Sequence, residues 1–126
     1  MNGHENSVGG LETIIEVLRR RYEYDMDGRI AGVQGEGILP RFVLGRSAEG
    51  CIWRFSANLE SERVAAVARL AGREPGFPIA GKKPVPPPER IVVIERLLAV
   101  EGIEVETHHE ILTRDGIEVA ELWTID

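Results

Sequence analysis

Cysteine is all but missing from this sequence. Cys51 is the only one in 126 residues, so no intrachain disulfide can form, no cysteine metal set exists, and a reducing compartment is expected. An excess of basic charge is missing too: 15 Lys and Arg against 21 Asp and Glu give a formal net charge of -6. That balance argues against a nucleic-acid partner, because affinity for a phosphate backbone rests on clustered cations. The one dense basic run, Arg19 to Arg21, falls at the end of a predicted helix, where it complements the helix dipole. No apolar run approaches the roughly eighteen residues that a membrane span needs. The polar start MNGHENSVGG also lacks the apolar heart of a signal peptide. A cytoplasmic protein with no membrane partner is therefore expected. Repeats of solenoid length are absent as well.

What is present has the composition of an ordinary folded domain, 43% hydrophobic and 29% charged, with enough chain for one core. Residues 1 to 9 carry no apolar period and are expected to form a loose tail, followed by a single domain over 10 to 126. LETIIEVLRRRY places Leu11, Ile14, Ile15, Leu18 and Tyr22 on one helical face. YEYDMDGRIAGV then switches to period two around Asp27-Gly28, a hairpin signal. A three-residue loop sets Tyr24 opposite Ile30, and a two-residue loop pairs Asp25 with Ile30. In PRFVLGRSAEGCIWRF, a turn over Ser47 to Gly50 sets Phe42 against Phe55, Leu44 against Trp53 and Arg46 against Cys51.

NLESERVAAVARLAG reads as a helix capped by Asn58 or Ser61 and ended by Gly72, with Val64, Val67, Ala68, Leu70 and Ala71 inward. A proline-rich connection, REPGFPIAGKKPVPPP, leads to a further helix, ERIVVIERLLAVEG. Pro87 and Pro88 stand at its start and Gly102 at its end; Ile91, Ile94, Leu97, Leu98 and Glu101 mark its long face, widened by Val92 and Val93. The last hairpin, looped at Arg114 to Gly116, aligns Ile103, Val105, Thr107, His109 and Ile111 with Ile117, Val119, Glu121, Trp123 and Ile125. Glu104, Glu106, His108, Glu110 and Glu118 then form a wet face. The order predicts an α+β domain: an antiparallel sheet of about six strands in three hairpins, with helices packed on one face.

Few residues point to chemistry. GVQGEG, residues 32 to 37, has the look of a phosphate-cradling turn, but it leads into a strand, so no helix dipole backs it. His108 and His109 are strand neighbours on opposite faces and are not expected to share a metal. The register sets His109 opposite Glu121 as a buried pair. Cys51 is expected to be an inert inward thiol. No nucleophile, base and orienting group fall in a recognisable order, and no catalytic residue or metal site is assigned.

The stretch LPRFVLGRSAEGCIWRFSANL, with the later PPPERIVVIERLLA, resembles a region that precedes the catalytic domain in some bacterial N-acetyltransferases of the GNAT superfamily. The likeness covers roughly residues 22 to 101: an arginine-flanked strand, a turn ending in Gly, a Trp-Arg-Phe strand, a helix and a proline-led helix. The acetyl-coenzyme A motif of that superfamily is not matched, because Gly32 stands where it has Gln or Arg and no helix follows. With no space for a catalytic domain, the resemblance implies an accessory or substrate-recognising module, not an acetyltransferase.

The function expected is thus a non-enzymatic binding module without a cofactor, recognising a small anionic ligand or a protein partner. Arg41, Arg46 and Arg54 are its candidate contacts, with Trp53 beside them, since the planar guanidinium suits carboxylates and phosphates. The alternative is a homodimer joined by a sheet edge or by the hairpin over 103 to 125. A small enzyme ranks third; it requires a pocket that collects His108 or His109 with at least two carboxylates.

Overall fold

A computed structural model describes residues 9–74, 88, 90–99 and 105–126. In chain order these form α1 (Gly10–Arg21), β1 (Tyr22–Tyr24), β2 (Ile30–Val33), β3 (Phe42–Ser47), β4 (Gly50–Phe55), α2 (Ser61–Ala71), α3 (Ile91–Leu98), β5 (Thr107–Arg114) and β6 (Ile117–Ile125). The α+β class is as expected. Most of the tail (residues 1–8), most of the proline-rich connection, Gly102 and Ile103 lie outside the described residues.

The strands divide between two antiparallel sheets rather than joining one of six. β1 and β2 pair alone, and the other four run in the order β4-β3-β6-β5. β2 is tied to the end of β4 by a single bridge, Ile30 to Ser56, so the small sheet hangs from the corner of the larger one. The loop at Met26 to Gly28 sets Tyr24 opposite Ile30, and Phe42, Leu44 and Arg46 stand opposite Phe55, Trp53 and Cys51 as the apolar pattern requires. Phe42 and Phe55 reinforce that register with ring centroids 5.2 Å apart.

Helices cover both faces of the large sheet, not one. Strand residues alternate between faces. Phe42, Leu44, Phe55 and Ile125 pack with Val67 and Ala71 of α2 and Ile91, Ile94 and Leu98 of α3. The intervening residues Val43, Ala120, Leu122 and Leu112 pack instead with Ile14 and Leu18 of α1, together with Tyr22 and Ile30. All six residues of β3 are buried as a result. Gly45 permits the approach of α1, because a Cβ there would lie 2.6 Å from Ile14 Cγ2. On α3 the inner face is narrower than expected: Ile91, Ile94 and Leu98 are buried, while Val92 and Val93 are exposed.

The β5–β6 register also differs from its sequence expectation. Arg114 pairs with Ile117 across a turn at Asp115 and Gly116, both with positive φ, and the ladder skips Val119. This bulge brings Ile111 opposite Glu121 and His109 opposite Trp123. It also lets Val119 join Ala120 on the α1 side.

Candidate ligand-binding site

The arginines singled out from the sequence occupy three different environments. Arg46 lies on the α2–α3 side of the sheet with its side chain 2% exposed, and its Nε donates to Glu121, whose side chain is fully buried. Glu121 also accepts from Trp123 Nε1 at 2.7 Å and lies 2.9 Å from His109 Nε2. The His109 and Trp123 rings stack at 4.1 Å. The expected His109–Glu121 pair is therefore present, but as a diagonal contact two residues along the ladder. With every described buried polar side-chain atom partnered, this network holds the sheet together.

Arg54 pairs with Val43 and so points to the opposite face. Its Nη1 donates to the Trp53 carbonyl at 2.8 Å, and it borders a small cleft of about 250 Å³ with Ile15, Leu18 and Tyr24. Trp53 packs against the α2–α3 core, where the chain closes over it at Gly72. Cys51, beside Arg46, donates to the Glu74 carbonyl at 3.6 Å. Burial pushes its thiol up from the ordinary value, more than Arg46 pulls it down.

Arg41 has the setting of a ligand contact. It lines a half-open cleft of about 370 Å³ with Ser56, Asn58, Glu60, Arg63 and an apolar floor of Leu39, Leu59 and Leu98. Arg41 Nη1 donates to the Leu98 carbonyl at 3.0 Å, which ties β3 to the end of α3 and fixes the guanidinium at the wall. Arg63 faces it from the first turn of α2 and lies 3.6 Å from the exposed Glu60. Just behind the cleft, Arg29 Nη1 reaches the Ser56 carbonyl at 3.4 Å. Neither Asn58 nor Ser61 is the N-cap expected from the sequence; Glu60 occupies that position and makes no side-chain capping bond. The start of α2, with its partial positive charge, is therefore part of the same wall.

A wider cleft among the described residues, about 540 Å³, lies on the α1 side between the small sheet and the β5–β6 ends. Arg21, Tyr22, Gln34, Glu36, His108, Glu110 and Asp126 supply its polar lining. Arg21 and Glu110 form a bidentate pair across it at 2.7 and 2.8 Å. That hydrogen bonding holds the Glu110 carboxyl below its usual range and raises the Arg21 guanidinium, against the opposing effect of burial on each. Here His108 does meet several carboxylates, and with Glu106 and Asp126 it makes a set that can hold a metal. The sequence reading assigned no such set. GVQGEG runs from the end of β2 into the loop before β3, with no helix behind it.

No family model, curated protein or solved structure matches the chain. Among the described residues, no helix is long and apolar enough to cross a membrane.

Proposed function

We propose that the protein is a binding module that takes a small anionic ligand in the cleft lined by Arg41 and Arg63. The observation that carries this reading is that Arg41, Arg63 and a helix start without a side-chain cap line one concave, apolar-floored surface, with Glu60 as the one acidic residue of its described lining. A charged head can pair with the arginines while an attached hydrocarbon lies on Leu39, Leu59 and Leu98. Ser56 and Asn58 add polar atoms at the rim. A short carboxylate or phosphate monoester has the matching chemistry. Arg46 is left out of the site, since its charge is already met by Glu121. The resemblance of residues 22 to 101 to a region that accompanies bacterial acetyltransferases is consistent with a recognition role, and it adds no residue to the cleft.

The test is a thermal-shift series with butyrate and with butyl phosphate. Binding to the native state raises the melting temperature by mass action. The rise is expected with at least one of the two and is lost in an Arg41→Gln/Arg63→Gln variant that melts normally without ligand. A rise of equal size in that variant, or none in the parent with either anion, contradicts the reading.

A further inference from the structure

We propose that Glu106, His108 and Asp126 form a binding site for a divalent first-row transition metal at the mouth of the wider cleft. Glu106, just before β5, and His108 within it stand two residues apart along extended chain, so both project to the same side. Asp126 reaches them from just after β6, held in place by its backbone N–H donating to the Glu106 carbonyl at 2.9 Å. His108 Nε2 lies 2.9 Å from Asp126 Oδ2 and 3.5 Å from Glu106 Oε1. One donor atom from each of the three residues fits within a mutual separation of 4.8 Å.

His108 Nε2 thus has a carboxylate oxygen on each of two sides, one from Glu106 just before β5 and one from Asp126 just after β6. Metal bonds of about 2.0 to 2.2 Å at tetrahedral angles place ligand atoms about 3.3 to 3.6 Å apart, which the Glu106 separation of 3.5 Å meets and the Asp126 separation of 2.9 Å reaches by a small opening of the pair. An imidazole with two carboxylates suits zinc, iron or manganese better than calcium, which favours an all-oxygen set of six to eight ligands.

The cleft supplies a second, independent observation. His108 and Asp126 both line it, with Glu36 and Glu110 on its walls and only Arg21 to oppose them. Arg21 and Glu110 offset each other through their bidentate pair, which leaves Glu36 and Asp126 as the uncompensated charges of the described lining. The remaining field favours a cation. Three protein ligands also leave a coordination position free, and the adjoining cleft offers space for a small molecule to fill it.

The experiment is isothermal titration of zinc chloride into the full chain carrying His4→Ala, which removes the histidine of the N-terminal stretch. One zinc per chain is expected, with His108→Ala or Asp126→Asn weakening it about tenfold or more and His109→Ala leaving it within about twofold. Zinc should also shift the ring nitrogen signals of His108 before those of His109 in NMR spectra, a readout that does not depend on the variants. His108 is 54% exposed, so its replacement spares the core. No saturable zinc binding, binding unchanged by His108→Ala, or calcium binding as tightly as zinc overturns the proposal.

Discussion

Arg46 and Glu121 face each other in the middle of the large sheet, with side chains 2% and 0% exposed. Taking two charges out of water is costly, and their attraction offsets that cost only while both are present. Arg46→Met alone leaves the buried Glu121 without its guanidinium partner, held only by Trp123 and His109, and should lower stability by about 3–5 kcal/mol. Arg46→Met with Glu121→Leu should recover most of that loss in urea denaturation; a single variant as stable as the parent contradicts the pairing. The position of Arg46 opposite Cys51 was legible from local alternation, but its partner was not, because Glu121 arrives from 75 residues away through the β3–β6 pairing. Arg21 and Glu110 act at the surface, where side chains are 41% and 44% exposed. Hydrogen bonding from Arg21 depresses the Glu110 carboxyl in the folded state. The stabilisation it gives is thus present above the unfolded carboxylate range, about pH 4.3, and is lost as pH falls through the lower folded value. Arg21→Gln should therefore cost a few tenths to about 1 kcal/mol at pH 7 and nothing measurable at pH 2. A difference that grows on acidification contradicts this sign.

The first helix and the last hairpin depart most from what periodicity suggests. α1 presents Ile14 and Leu18 as its spacing requires, but spacing does not say which face of a sheet receives them. Gly45 decides it: in the central strand, it is the open place on the face opposite α2 and α3 where Ile14 can settle. Gly45→Ala should push α1 outward and cost about 1–3 kcal/mol, read as a lower melting temperature. An unchanged melting temperature shows that α1 does not dock this closely. In the hairpin, the turn at Asp115 and Gly116 and the bulge at Val119 together move the pairing by two residues. A strand sequence does not reveal a bulge, since an inserted residue looks like any other member of the alternation. His109 and Glu121 still meet because a two-residue shift keeps both on one face, whereas Val119 crosses to the α1 side.

Across the whole molecule, a chain of net charge -6 gathers Arg29, Arg41 and Arg63 around one corner of the large sheet. Glu60 is the carboxylate of that corner's described lining, whereas Glu106 and Asp126 meet His108 at the β5–β6 end; on the proposed reading the first takes an anion and the second a cation. Arg41 was found in the sequence as an arginine beside a strand. Arg63 was not, because it looks like any polar residue on the outer face of a helix until the turn after β4 swings α2 round to meet β3. The most direct measurement is an NMR titration of the chain with butyl phosphate, following the backbone amides of residues 56 to 64 and the Arg41 and Arg63 side-chain Nε signals. Saturable shifts concentrated at Arg41, Arg63 and the first turn of α2, abolished by Arg41→Gln, are predicted. Signals that stay in place, or that move equally around Arg19 and Arg54, contradict an anion site in this cleft.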